Sequence, residues 1–292
     1  MKLKCKFCSK KTSKKYKIIS SFDIKSYDIF HCKFCKSSFV HPSPNENEIE
    51  EYYKKLQNLN FGKHHTSYER LMDREIQFPN ASIDARRIIK RIQSFTSNKD
   101  LLDIGAGHGF ISKEAKLNNF KVTALEINNE RSEIFYKMVG IRTMEKMFNN
   151  DFANKNLEKF DVVIVSQLLE HISDTQNFLE NIFKVLKKGG ICFIAVPNSR
   201  SITSMILGKR DFFLIPPEHL NFFSIKGLRI LFQRNNLKML KYETISRITL
   251  DRYKKISKIY FIQQLLYYTF KLIFQIFDYF NKGMITNCYI KK

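Results

Sequence analysis

Three groups of residues in this chain are spaced for chemistry. The first is Asp103-Ile104-Gly105-Ala106-Gly107-His108-Gly109, with Leu101-Leu102 before it and Phe110 after it. An apolar strand that enters a glycine-rich turn and leaves as a helix lets the backbone come close to a ligand. About twenty residues further on, the spacing typical of nucleotide folds, a second strand ends at Glu126. A carboxylate there can accept hydrogen bonds from both hydroxyls of a ribose. The two features together describe a nucleoside pocket at the carboxyl ends of parallel strands. The second group is Cys5-x-x-Cys8 with Cys32-x-x-Cys35. Two such knuckles can place four thiolates around one tetrahedral zinc, and four cysteines leave no open coordination position. The third group is a pair of Glu-His dipeptides, Glu170-His171 and Glu218-His219. An imidazole with an ordinary pKa near 6.5 can take a proton close to neutral pH.

Details of the turn select among nucleosides. The dinucleotide fingerprint is Gly-x-Gly-x-x-Gly, but here the third glycine falls at Gly109 and position 110 is Phe. Asp103 precedes the turn, where it can meet an ammonium group rather than a pyrophosphate. The pattern Asp-x-Gly-x-Gly-x-Gly resembles motif I of class I S-adenosylmethionine-dependent methyltransferases. Phe160 to Ile172 is similar to that family's fourth strand and following turn, and Val185 to Asn198 to its fifth-strand segment. The resemblance runs over roughly residues 81–246. It implies S-adenosylmethionine as cofactor, with Asp103 on the methionine amino group, Gly105 and Gly107 permitting close approach, and Glu126 on the ribose. Ser166 and Gln167 are expected near the methionine moiety. The adenine contact should follow the third strand, where Met144-Glu145-Lys146-Met147 does not single out a residue. His108 is expected to be a side chain the turn merely tolerates.

The acceptor side is read from the Glu-His pairs. Glu170-His171 recurs in methyltransferases, more often capping the turn than acting as a base, and His171 is kept as a candidate base. Glu218-His219 lies in Ile215-Pro216-Pro217-Glu218-His219-Leu220-Asn221-Phe222-Phe223-Ser224. That stretch resembles the Glu-His-Leu-x-x-Phe segment of zinc-ribbon-bearing sugar methyltransferases, in which the histidine is taken as general base. His219 is therefore the favoured base, with Glu218 as the group that orients it; the alternative is that His219 packs under Phe222 and Phe223. The ribbon, the Pro-x-Pro linker and this loop together resemble bacterial methyltransferases of sugar or surface-polysaccharide biosynthesis. The implied acceptor is a nucleotide- or lipid-linked sugar, methylated on oxygen or carbon. Two rivals stand beside it: a lipid or quinone headgroup methyltransferase at the membrane, and a zinc-ribbon enzyme that modifies RNA or protein.

These residues need a scaffold. From Lys99 the chain alternates strands (99–104, 120–126, 140–144, 160–166, 190–196, 237–245) with helices near 110–118, 129–139, 173–187 and 224–236. Alternation of this kind predicts an α/β fold with a parallel sheet and right-handed crossovers. The resemblance implies a Rossmann-like, doubly wound, seven-stranded sheet whose last strand, 284–290, runs antiparallel. Domain limits are expected at 1–41 for a small N-terminal zinc ribbon, 42–98 for a linker and N-terminal helices, and 99–292 for the methyltransferase domain. The ribbon should hold a hairpin through Tyr16–Ile19 and Tyr27–Phe30, and loss of Cys32 should unfold only the first forty residues. Residues 46–57 read as a short helix. From Ser82, Ala85, Ile88, Ile89 and Ile92 keep helical spacing. Cys192 and Cys288 read as core.

An insertion at about 247–282 is unusually apolar and aromatic, with Lys254, Lys255, Lys258 and Lys282 at its flanks. Its unbroken apolar run is too short to span a bilayer. It can pack on the sheet or a second subunit, lie in a membrane interface through 256–282, or cover the acceptor site. Composition bounds the rest. A chain of 292 residues with 43% hydrophobic content can bury a real core. The net charge of +22 invites a nucleic-acid or anionic-membrane partner, yet the lysines are scattered and no basic cluster interleaved with aromatics is visible, which disfavours nucleic acid. Met1-Lys2-Leu3-Lys4-Cys5 has no apolar segment of a secretory signal, so a cytoplasmic place is expected, on or off the inner face of the membrane.

Overall fold

The computed structural model describes residues 3–20, 25–44, 48, 52, 67–77, 80–247 and 260–292. Two sheets organise them. The larger contains β4 (Asp100–Ile104), β5 (Lys121–Leu125), β6 (Phe160–Ser166), β7 (Leu186–Pro197), β9 (Lys238–Ile245) and β10 (Ile285–Lys291) in the order β5-β4-β6-β7-β10-β9. Neighbours pair in parallel except at β10, which is antiparallel to both β7 and β9. The parallel part is what the strand-helix alternation predicts, and the Rossmann-like order with its last strand reversed is what the resemblance implied. β6 is the middle of it: Phe160 to Val165 are all buried, as a strand covered on both faces requires.

The expected strand at 140–144 shrinks to a single bridge between Leu125 and Met144. Gly140 closes the preceding helix in a left-handed conformation, and the chain reaches the sheet edge only at Met144. The N–H of Met144 donates to the carbonyl of Ala124 at 2.8 Å.

Helices fill the crossovers: α2 (Ala81–Gln93), α3 (Phe110–Leu117), α4 (Asn129–Val139), α5 (Asn150–Lys155), α6 (Thr175–Val185), α7 (Ile202–Leu207) and α8 (Ile225–Arg234), with α1 (Tyr68–Gln77) ahead of them. The Ala85, Ile88, Ile89 and Ile92 stripe of α2 is buried and packs with Leu101, Val162, Ile164 and Phe193 from the sheet. α5 is too short to carry a readable period and is set by Asn149, whose side chain accepts from the Phe152 N–H. Of the helix expected at 46–57, only Glu48 and Tyr52 belong to the described residues.

The smaller sheet has the order β1-β2-β3-β8, with β1 (Ser13–Ile19), β2 (Ser26–His31), β3 (Ser38–Val40) and β8 (Asn221–Phe222). The hairpin forms as expected, but the first forty residues do not close on themselves. β3 pairs with β8 through Ser38–Phe222 and Phe39–Asn221. The Ser224 N–H donates to the Ser37 hydroxyl at 2.9 Å, and the Ser224 hydroxyl donates to the carbonyl of Cys35. Phe7 meets Phe223 with ring centroids 5.0 Å apart. Loss of the cysteine knuckles would therefore reach the loop around residue 221, which corrects the expectation of a damage limit at residue 40.

The insertion ends in α9 (Tyr260–Tyr279), a 20-residue helix against β9; the part over 248–259 lies outside the described residues. Among those residues no helix is long and apolar enough to cross a membrane.

Candidate functional site

The strand order turns back on itself between β4 and β6, so the crevice opens above their carboxyl ends, where open α/β sheets hold ligands. The glycine turn leaves β4 there. The N–H groups of Gly105 and Ala106 donate to the carbonyl of Leu125, at 2.9 and 3.0 Å, tying the turn to the end of β5. Glu126 follows at once. Its Oε2 accepts from the Gly107 N–H at 2.9 Å and its Oε1 from the Asn128 N–H at 2.9 Å. Asn128 in turn caps α4 by accepting from the Arg131 N–H. Each carboxylate oxygen keeps a second lone pair, so the carboxylate is fixed in place and can still accept two hydroxyls.

Two glycines show what the turn is built around. Gly107 has φ +55° and a Cβ built on it would meet nothing within 4 Å, so the turn faces open space there. Gly109 has φ +86°, and its Cβ would lie 2.7 Å from Phe135 and Val139. The first glycine leaves room for a ligand, and the second lets α3 and α4 pack. The open cradle beside a fixed carboxylate fits an adenosyl group.

Asp103 is only 3% exposed. Its Oδ2 accepts from the Ser112 hydroxyl at 2.7 Å, and burial, partly offset by that bond, pushes its pKa up to about 7. Ser112, which the sequence reading did not single out, thus holds this carboxyl. Ser166, half-buried, and Gln167, exposed, stand at the end of β6. Gln167 has φ +53°, an uncommon conformation for a non-glycine residue, and its N–H donates to the Ala195 carbonyl at 2.8 Å. His108 lies in the turn, and burial lowers its pKa.

The two Glu-His pairs, 48 positions apart in sequence, meet in space. The rings of His171 and His219 lie edge to face with centroids 4.8 Å apart. His171 Nδ1 is 2.8 Å from the carbonyl of Glu218, and His219 Nδ1 is 2.8 Å from the carbonyl of Phe213. A carbonyl only accepts, so each Nδ1 carries the proton. Burial lowers both imidazole pKa values, that of His171 to about 4. The group that orients His219 is thus the backbone of Phe213, not the Glu218 carboxylate expected from the sequence. Glu218 contributes its own carbonyl to His171, and burial raises its carboxyl pKa.

Glu170 joins this cluster. It is 1% exposed, and neither carboxylate oxygen has a hydrogen-bond partner among the described residues. Burial pushes its pKa up to about 8. Glu170, His171 and His219 each offer an atom within 4.8 Å of the others. The Glu-His dipeptide drew attention to His171, but nothing in its sequence marked Glu170 as the buried member.

The loop that bears His219 is fastened from both sides. The Leu220 N–H donates to the carbonyl of Glu170 at 2.8 Å, and the Asn221 amide donates to the carbonyl of Ile172 at 2.7 Å. On the other side the Val40 N–H donates to the carbonyl of Leu220 at 3.0 Å. The cysteines lie beyond β3. Cys5 and Cys35 sulfurs are 3.6 Å apart, those of Cys8 and Cys32 3.5 Å apart, and all four lie within 4.8 Å of one another. A tetrahedral zinc with bonds of about 2.3 Å needs sulfurs about 3.8 Å apart, so the donor set fits. The hydrogen bond from Cys5 pulls the Cys35 thiol down to about 5 and pushes Cys5 up. Cys192 and Cys288 are buried core residues. Between the hairpin and the proline loop lies a cavity of about 360 Å³, lined in part by Lys17, Lys25, Tyr27, His41, Tyr52 and Pro217.

Comparison with known proteins agrees with this fold. A family model described as a methyltransferase domain matches residues 68–242. The ubiquinone biosynthesis O-methyltransferase of Caulobacter vibrioides is 31% identical over 113 residues, covering 37% of this chain and 44% of the relative. That of Pelagibacter ubique is 26% identical over 178 residues, covering 55% of this chain and 70% of the relative. The chain spans about half the length of the first of the curated relatives it matches, 44% and 52%. Among solved structures, a SAM-dependent methyltransferase from Archaeoglobus fulgidus aligns with TM-score 0.53 at 16% identity, covering 77% of this chain and all of that one. The 1,6-didemethyltoxoflavin-N1-methyltransferase of Burkholderia thailandensis, solved with S-adenosylhomocysteine, aligns with TM-score 0.52 at 13% identity, covering 90% and 98%. At these identities the structural likeness concerns the fold.

Proposed function

This chain belongs to the methyltransferase-domain family, and from that membership we propose that it transfers the methyl group of S-adenosylmethionine to a small molecule. The acceptor we infer is a nucleotide- or lipid-linked sugar, methylated on oxygen or carbon, in surface-polysaccharide biosynthesis. The observation that carries the proposal is that two imidazoles meeting edge to face and a fixed carboxylate beside the open glycine turn stand at the same end of one sheet.

Bound S-adenosylmethionine supplies an activated methyl group, because its leaving group is a neutral thioether. The chain does the rest. Glu126 accepts from the ribose hydroxyls while its bond from Gly107 keeps the turn open. Asp103 serves the methionine ammonium, with Ser166 and Gln167 beside it at the end of β6. His219 takes the acceptor proton at Nε2, since Nδ1 is committed to Phe213. Its lowered pKa keeps that nitrogen unprotonated at neutral pH. His171 packs edge to face against it and limits its rotation, and Glu218 positions His171 through its carbonyl. Cys5, Cys8, Cys32 and Cys35 would hold a structural zinc, which would cross-link the two knuckles beneath β3.

The cavity next to Pro217 offers Lys17, Lys25 and His41 to a phosphate, the shared feature of nucleotide- and lipid-linked sugars, and Asp28 and Glu48 to sugar hydroxyls. A second reading, a quinone headgroup, is favoured by the names of the curated relatives. Radiolabelled S-adenosylmethionine offered with nucleotide sugars, lipid-linked sugars and demethylated quinols separates the two. Label in the sugar fractions supports the first reading, and label only in the quinol moves the assignment to the second. A purified chain that binds no S-adenosylmethionine by calorimetry would end both.

A further inference from the structure

We propose that the outer face of α9, together with the tip formed by the end of α7 and the residues after it, is a docking surface for an anionic lipid bilayer. This inference goes beyond the methyl-transfer reading and does not depend on it.

α9 has an inner and an outer side of unusual likeness. Inward, Phe274 is buried, and Asp278 accepts from the N–H and hydroxyl of Ser246, at 3.0 and 2.8 Å. Outward, Phe261, Leu265, Leu272, Ile276 and Tyr279 are exposed, Phe261 by 74% and Tyr279 by 82%. Their spacing by threes, fours and sevens puts them on one face. Phe274 lies on the opposite face. A soluble helix covers one apolar side; this one carries two. Its only charged residues are Lys271 and Asp278.

A second apolar tip joins it. The Ile202 N–H donates to the Lys282 carbonyl at 2.9 Å, and the Asn198 amide donates to the Gly283 carbonyl at 2.9 Å. These bonds fasten the end of α9 to the start of α7. Met205 and Ile206 of α7 are exposed, Ile206 by 76%, and Lys209 and Arg210 follow them, also exposed. This tip leads into the loop that carries His219, so it stands on the acceptor side of the sheet.

Charge selects the occupant. Two copies of a chain with net charge +22 repel, whereas an anionic surface attracts both the tip and the sequence before α9. That sequence holds Arg252, Lys254, Lys255 and Lys258 against one acid, Asp251. An apolar helix face preceded in sequence by basic residues is what an anionic headgroup layer attracts. Among the described residues no helix is long and apolar enough to cross a membrane, and in this proposal α9 lies along the surface.

The test uses the full chain, sedimented with vesicles of phosphatidylglycerol and phosphatidylcholine or of phosphatidylcholine alone. The expected result is binding to the anionic vesicles that weakens as salt is raised. Leu272→Glu with Ile276→Glu should cut that binding roughly tenfold or more. Should that variant fold poorly, Lys209→Glu with Arg210→Glu leaves the apolar face intact and should still lower binding to anionic vesicles. Calorimetry with S-adenosylmethionine, run on the same samples, should read the same in wild type and variants. Vesicle indifference of the wild type, or a wild-type dimer that the α9 variant splits without any vesicle binding, overturns the proposal. If vesicles bind but S-adenosylmethionine does not, the methyl-transfer reading falls alone.

Discussion

The N–H of Gly107 and the Oε2 of Glu126 are 2.9 Å apart, so the acid at the end of one strand holds the glycine turn at the end of the next. Glu126 thereby has two tasks, shaping the turn and accepting from the ribose. Glu126→Ala should weaken S-adenosylmethionine binding by about 1.5–3 kcal/mol for each charged hydrogen bond lost. Calorimetry reads this directly, and an unchanged affinity would remove Glu126 from the ribose.

Asp103 makes cofactor binding depend on pH. Burial holds its carboxyl at about 7, against an ordinary 3.8. Its folded pKa is raised, so the stability it contributes is complete below 3.8 and is lost as pH rises through about 7. An ammonium beside it favours the ionised form. Binding of S-adenosylmethionine about one unit below pH 7 should therefore release a proton from Asp103. Calorimetry in two buffers of different ionisation enthalpy measures that proton. Asp103→Asn should abolish the release, and wild-type binding without any release would mean that the ammonium sits elsewhere.

His219→Ala should slow turnover about 10²–10⁴-fold and leave S-adenosylmethionine affinity intact. The base must be unprotonated, and burial lowers its pKa. The acid limb of kcat should accordingly fall below the ordinary histidine value near 6.5, with activity lost as pH drops through the lowered pKa. A variant with wild-type turnover, or an acid limb above 6.5, contradicts the role of base.

Cys32→Ser should release metal and slow turnover while S-adenosylmethionine still binds. The reason is geometric: Ser224 is bonded to Cys35 and Ser37, and β8 to β3, so the knuckle braces the loop bearing His219. Metal analysis and kinetics on one preparation check both halves. Full zinc content in the variant would rule out the thiolate site.

What the sequence made legible and what it hid follow from the range of the forces involved. The glycine turn, Glu126 and the strands around β6 are local in origin: backbone freedom, an apolar run, an acid at a strand end. They could be read at their correct positions. The pairing of β8 with β3 could not, because a two-residue strand has no period and its partner is far off in the chain. The orientation of His219 was misread for a related reason. Its partner is the carbonyl of Phe213, and a backbone carbonyl leaves no mark on residue type, whereas the Glu218 next door suggests one. Glu170 was hidden because a buried carboxyl without a partner looks, in sequence, like any exposed one. α9 was legible as apolar, but a helix apolar on both sides does not disclose which side the sheet takes.

Ser37 and Ser224 are 187 positions apart. On the ribosome, β3 emerges with one edge unmatched and stays so until residue 222 is made. Such long-range closure raises contact order and delays folding. A chain stalled after β6 can already hold the residues of a donor cradle while its acceptor wall is still unwritten, so the joining of the two ends is the step that completes the enzyme.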